Sequence, residues 1–139
     1  IVATTRKDFY INTGEIQMLA DALKRIPSHM PNILEKSMYE EANVIFNESQ
    51  KLVPVDTGAL RASGFVHAPR KENNRVFVRV TYGGPAAHYA LYVHENLYAR
   101  HTAPTQAKYL ETPLYRQVPV IVRNLTIRIN HMIRTELPR

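Results

Sequence analysis

The chain has 139 residues, 45% of them apolar and 22% charged, which is the balance of one ordinary globular domain with room for a real core. It has no cysteine, which removes disulfides and thiolate metal sites, and no apolar run near the ~18 residues of a membrane span. A net charge of +6 leaves nucleic acid or an acidic partner open, but Lys and Arg are spread along the chain rather than blocked into a tail.

In chain order, Ile1 to Asp8 lacks the apolar stretch of a signal peptide. Phe9-Tyr-Ile11 reads as a short strand closed by Asn12-Thr-Gly14. Thr13 then caps a helix over Glu15 to Arg25, with Ile16, Leu19, Ala20 and Leu23 on one stripe. Ile26-Pro27 ends it, because a residue before proline resists helical geometry. A longer helix is predicted from Pro31 or Asn32 to Leu52, with Leu34, Met38, Ala42, Ile45 and Ser49 at helical spacing and Pro54 as its stop.

One helical turn, Ala59 to Ala62, follows the Pro54 to Gly58 loop. Arg75 to Tyr82 alternates Val76, Val78, Val80 and Tyr82 with Phe77, Arg79 and Thr81, the period of a half-buried antiparallel strand. Gly64 to Ala68 is its expected hairpin partner across Pro69 to Asn74, and Gly83-Gly84-Pro85 ends the sheet. The last third reads as a helix, with Thr112 as N-cap and Pro113 as first helical residue. Leu114, Val118, Ile121, Val122, Leu125, Ile129, Met132 and Ile133 keep helical spacing, while Pro119 marks a kink or a later start. The fold expected is α+β: two long helices packed on a small antiparallel sheet of about four strands.

No segment has the shape of a catalytic motif. In Pro54-Val-Asp-Thr-Gly-Ala-Leu60, Asp56 is expected to accept backbone N–H groups, Gly58 to reverse the chain and Leu60 to anchor the turn in the core. A carboxylate beside a hydroxyl is not a catalytic pair without a base, so the turn reads as structural. His88, His94, Glu95 and His101 are zinc-compatible residue types, but the spacing is not His-Glu-x-x-His, and surface or interface histidines are the simpler reading. Gly83-Gly84 lacks the following Lys-Ser/Thr of a phosphate cradle. No catalytic residue, metal or cofactor is therefore assigned. Tyrosine outnumbers phenylalanine eight to four, and Tyr82, Tyr89, Tyr92, Tyr98, Tyr109 and Tyr115 cluster together. Half of these rings are expected in the core; Tyr98, Arg100 and His101, in a polar loop, are the better interface candidates.

The motifs, taken in order, resemble the tail-completion (head–tail joining) proteins of long-tailed bacteriophages. That family is similar in a Pro-x-Asp-Thr-Gly-x-Leu-Arg-x-Ser segment after a long helix, matched by Pro54, Asp56, Thr57, Gly58, Leu60, Arg61 and Ser63. A later Tyr-Ala-x-Tyr-Val before an acidic residue is matched by Tyr89, Ala90, Tyr92, Val93 and Glu95. A closing aromatic–Leu–x–x–Pro–Leu is matched by Tyr109, Leu110, Pro113 and Leu114. The chain departs from the pattern where His94 intervenes and Asn96 stands in place of a common glycine, which bears on the shape of the Asn96 to Gln106 loop.

The resemblance implies one joining domain over the whole chain, a virion location after assembly in the host cytoplasm, and a mechanism of binding rather than chemistry. It implies a homo-oligomeric ring, a hexamer, between the tail tube protein and the head-completion protein or portal complex, with DNA passing through its lumen and no membrane partner. Lys71 and Asn73 on the Pro69–Asn74 tip, and the Asn96–Gln106 loop, are the expected contacts. A small basic nucleic-acid-binding module and a hydrolase with metal on His88, His94 and Glu95 are the competing readings.

Overall fold

The computed structural model describes residues 2–4, 8–10, 30–73 and 75–136. The helix expected over Glu15 to Arg25, and the turn before it, lie outside them. In chain order the elements are strands β1 (Val2–Thr4) and β2 (Asp8–Tyr10), helices α1 (Met30–Leu52) and α2 (Ala59–Ala62), then strands β3 (Phe65–Val66), β4 (Arg70–Glu72), β5 (Arg75–Phe77) and β6 (Arg79–Thr81). A single 3-10 turn at Pro85–Ala87 leads into α3 (Ala90–Glu95) and the long α4 (Glu111–Glu136). This is the α+β class read from the sequence, with α1 and α4 as its two long helices.

The main sheet has the order β2-β1-β6-β3. β2 runs antiparallel to β1 and β3 antiparallel to β6, while β1 joins β6 in parallel, with Val2 opposite Arg79 and Thr4 opposite Thr81. β4 and β5 form a separate antiparallel ribbon in which Arg70 faces Phe77 and Glu72 faces Arg75. The segment read as one strand, Arg75 to Tyr82, is thus two strands with Val78 between them. Likewise Pro69 to Asn74 is not only a turn, since β4 occupies half of it. Pro69 supplies the physical reason: it has no N–H, so the β3–β6 ladder, whose last bond runs from the His67 N–H to the Arg79 carbonyl at 2.8 Å, cannot continue through it. The chain resumes pairing only as a new ribbon. The period-two burial survives the break, with Val78, Val80 and Tyr82 buried and Arg79 exposed.

Helix α1 is the element that both other layers touch: it packs against β3, β5 and β6 and against α4. Its buried stripe is Met38, Ala42, Ile45 and Ser49, as the helical spacing required. On α4 the buried stripe is Leu114, Ile121, Leu125, Ile129 and Met132. Between the helices sits a buried carboxylate, Glu41, which accepts from the Asn124 side-chain amide at 2.9 Å and from Gln117 at 3.4 Å. Arg128 pairs with Glu40 at 2.7 Å and reaches Glu41 at 3.8 Å. A charge taken from water needs such partners, and these fix how the two helices face one another.

Two details of α4 correct the sequence reading. The helix starts at Glu111, so Thr112 is not its N-cap; the Thr112 hydroxyl instead accepts from the Gln106 amide at 3.1 Å. Pro119 lies inside a continuous helix. The carbonyl it deprives of a donor belongs to exposed Tyr115, where water can serve, and the buried residues on the far side hold the helix together. Among the described residues, no helix is long and apolar enough to cross a membrane.

At Gly64, just after α2, the backbone runs close against packed side chains. A Cβ there would meet Gln50 Nε2 at 2.5 Å, Tyr82 Cε1 at 2.6 Å and Phe46 Cε2 at 2.7 Å. Gly64→Ala therefore forces three packed side chains apart, and the expected loss is about 1–3 kcal/mol. Urea unfolding checks it: the midpoint falls while the slope is unchanged.

Candidate partner interface

The Pro54 to Ser63 segment turns the chain from α1 into the sheet, and most of its matched residues have a structural task. Gly58 sits at φ 86°, a left-handed conformation that a side chain would strain. Leu60 is buried. The Arg61 guanidinium donates to the Val53 carbonyl at 3.2 Å, closing the free end of α1. The Ser63 hydroxyl donates to the Leu60 carbonyl at 2.6 Å and accepts the Gly83 N–H at 3.0 Å, tying the turn to the end of β6. Asp56 does not do what was expected of it. The hydroxyl of Thr57, not the Asp56 carboxylate, accepts the Ala59 N–H, at 3.3 Å, and Asp56 is exposed. Gly58 in its left-handed conformation takes the capping position of α2 and makes no side-chain cap bond.

The second and third motifs meet at Tyr109. Its ring is fully buried and stands edge-on to Tyr82 at 5.2 Å and to His94 at 4.9 Å between centroids. Its hydroxyl donates to the Ala90 carbonyl at 3.1 Å, which is the place of buried Ala90 in the motif. Tyr82 continues the row to Phe46 at 5.9 Å, and its hydroxyl bonds Ser49 at 2.7 Å and Gln50 at 3.1 Å. Burial pushes the Tyr82 phenol up to about 12 and raises that of Tyr109 as well. Tyr89 is half-buried at the start of α3 with its ring against His88, and Pro113 is buried in the first turn of α4.

Of the zinc-compatible histidines, only His94 joins an acidic group among the described residues, with Glu95 and Glu111. Exposed His88 and half-buried His101 are not part of it. His94 Nδ1 lies 2.9 Å from Glu95. A cation already bridges the two carboxylates: the Lys108 ammonium is 2.7 Å from Glu95 and 2.9 Å from Glu111. Lys108 adopts φ 56°, and its N–H donates to the His94 carbonyl at 2.8 Å. The tie thus joins α3 to α4 through one residue that neither periodicity nor motif singled out. The Lys108 bond holds the Glu95 carboxyl below its ordinary range, and Glu95 in turn raises Lys108. Burial depresses His94 in spite of Glu95 beside it.

Above this tie the Asn96 to Gln106 loop reaches solvent. Its far end is anchored where the Gln106 N–H donates to the Leu52 carbonyl at 2.9 Å. Its near end is ordered by Asn96, which donates to the Tyr92 hydroxyl at 3.1 Å and accepts the Tyr98 N–H at 3.1 Å. Tyr98 is 98% exposed, and Tyr92, Leu97 and Tyr115 are each more than half exposed. Aromatic rings on an anchored loop are the kind of residue that carries binding energy between proteins. Arg100 is exposed beside them, whereas His101 is half-buried with Nε2 shielded from water. Lys71 and Asn73 are exposed on the β4–β5 ribbon, Asn73 at φ 49°. Tyr92 and Tyr115 could be picked out as tyrosines, but helical phase alone did not tell their exposed rings from the buried ones.

No family model, no curated protein and no solved structure matches this chain.

Two outcomes are expected. Asp56→Ala changes stability by no more than about 0.5 kcal/mol, the range of an exposed surface position, as read by thermal unfolding. Acid weakens the fold in two stages. His94 is neutral in the fold while the unfolded chain takes up a proton near 6.5, so stability falls as pH drops below 6.5 toward the lower folded value. Glu95 stabilises above its ordinary 4.5, and that contribution is lost as pH falls through its lower folded value. Half-buried His67, depressed by burial and by Arg79, adds in the same direction as His94. His94→Gln is expected to flatten the upper stage of a Tm-against-pH curve and leave the lower one.

Proposed function

We propose that the chain is a structural joining subunit of a long-tailed bacteriophage, a tail-completion protein that assembles as a ring between the tail tube and the head-completion or portal complex. The observation that carries this reading is the convergence of the three matched motifs. Ser63 and Arg61 tie the first to the ends of β6 and α1, and Tyr109 ties the third to the second through Ala90 and His94. Residues that match a family pattern at separate places in the chain form one connected support here. Beside it, Tyr92 on α3 and Leu97 and Tyr98 on the loop that follows are exposed, as is Tyr115 on α4.

On this reading the support holds the loop in one shape, and the loop meets the neighbouring ring or subunit. Binding supplies the function, and no group transfer is invoked. The chain would enter the virion from the host cytoplasm. A basic nucleic-acid-binding module is the second reading, favoured by the net charge of +6. The two separate on whether the purified chain forms closed rings.

The test is electron microscopy of the purified chain and of the particle that carries it, with mass measured by light scattering. Closed rings at the neck are expected. Tyr98→Asp is expected to weaken ring or partner docking by about 30-fold or more, as for a buried hot spot, with the thermal midpoint unchanged. A chain that stays monomeric and is absent from the neck overturns the proposal.

A further inference from the structure

The outward face of the sheet carries a concentration of positive charge. Arg70, Arg75 and Arg79 lie on this side, with the carboxylate of Glu72 opposite Arg75, whereas Lys71 pairs with half-buried Val76 on the other side of the ribbon. Among the described residues, none of these three arginines forms an ion pair. Buried Val66 and Val80 point into the core, so their neighbours point away from it. There Phe65 pairs across the sheet with Thr81, and the His67 ring bonds the Thr81 hydroxyl at 2.9 Å. Phe65 is 58% exposed and stands edge-on to His67 at 4.9 Å. Arg79 is exposed on the same face, next to His67 across the β3–β6 pair. The fields of Arg79 and Arg70 both reach His67, adding to burial in depressing its affinity for a proton. The register puts Asp8 two strands beyond Thr81, roughly 10 Å across the sheet.

We propose that the outer face of β3 and β6, together with the same side of the β4–β5 ribbon, binds the phosphate backbone of duplex DNA, with Arg70, Arg75 and Arg79 as the contacting cations. The occupant follows from charge complementarity. Three arginines on short, paired strands, without an ion pair among the described residues, suit a ligand with dense, regularly spaced negative charge, and a duplex carries one charge per roughly 1.7 Å of axis. A single strand is bound through successive stacking platforms, and this face offers one exposed aromatic ring against three arginines. No side chain here is set up to read bases, so the binding is indifferent to sequence. The proposal rests on the joining-ring reading only for its setting, where this face would look onto the lumen.

Helix α4 provides the internal control. Its exposed Arg116, Arg123 and Arg134 also lack ion pairs among the described residues, but they are spread over 18 residues, about 27 Å of helix. Removing three charges there and three from the sheet face changes net charge equally.

The experiment measures fluorescence anisotropy of a labelled duplex of about 30 base pairs with the full chain, as a function of salt. Up to three phosphate contacts give a log–log salt slope of up to about −2.7. R70A/R75A/R79A is expected to lower that slope by roughly 2–3 and affinity at low salt by at least about tenfold. R116A/R123A/R134A is expected to change affinity less than about threefold. All six side chains are solvent-facing, and a thermal midpoint within a few degrees of the parent is expected for both variants. Equal losses in the two variants would mean diffuse attraction and overturn the proposal, as would no binding by the parent. Equal affinity for polyglutamate would make an acidic protein the partner and overturn it too. Micrographs of the same variants keep the readings apart: intact rings without DNA binding sink this inference alone, and DNA binding without rings sinks only the joining role.

Discussion

The packing of one ring, that of Tyr109, is the constraint on which the other parts depend. Its side chain contacts the end of the sheet through Tyr82 and α3 through both His94 and the Ala90 carbonyl, and it lies in the segment that enters α4. Edge-to-face aromatic contacts are directional, each contributing on the order of 1 kcal/mol beyond burial. A row of four rings from Phe46 to His94 therefore sets relative orientation as well as contact. Because the row passes from α1 across the sheet to α3, no one of these elements can shift without disturbing the others.

The Lys108 bridge extends that row toward the surface in a different physical currency. His94 is buried and neutral, Glu95 is a third exposed, and Lys108 sits between two carboxylates at the foot of the loop. Exposed ion pairs contribute little each, about 0–1 kcal/mol. Their value here is geometric: one ammonium, with the backbone of the same residue bonded to the His94 carbonyl, fixes where the loop returns to the helix. The arrangement resembles a metal centre in its ligand types, and its chemistry is that of a side chain acting as the bridging cation.

Much of the architecture was legible because it follows from periodicity. The stripes of α1 and α4, the alternation along Val76 to Tyr82 and the left-handed Gly58 all follow from spacing or from the steric freedom of one residue. What escaped was set by contacts between distant residues. The parallel pairing of β1 with β6 has no local signal, since a three-residue strand carries almost no pattern. The choice of Thr57 over Asp56 as the acceptor depends on a backbone path that composition does not encode. Lys108 looks like any surface lysine until the chain brings Glu95 and Glu111 to it. The need for Gly64 likewise arises from Phe46, Gln50 and Tyr82, which approach it only in the folded chain. The exposed aromatic loop was legible in outline, since tyrosines in a polar segment are visible, but not which rings turn outward.

The pairing of the first strand has a consequence for the order of events during synthesis. β1 leaves the ribosome well before its partner β6, which ends at Thr81. At bacterial and eukaryotic elongation rates that partner appears roughly 4–16 s later. Only the β1–β2 hairpin can form meanwhile, and an isolated two-stranded hairpin is marginally stable. β1 and β2 are thus made before β6 and secured only once it has appeared. Through that interval a nascent chain displays the edge of β1 that β6 will cover, and the brevity of the strand limits premature pairing between neighbouring nascent chains.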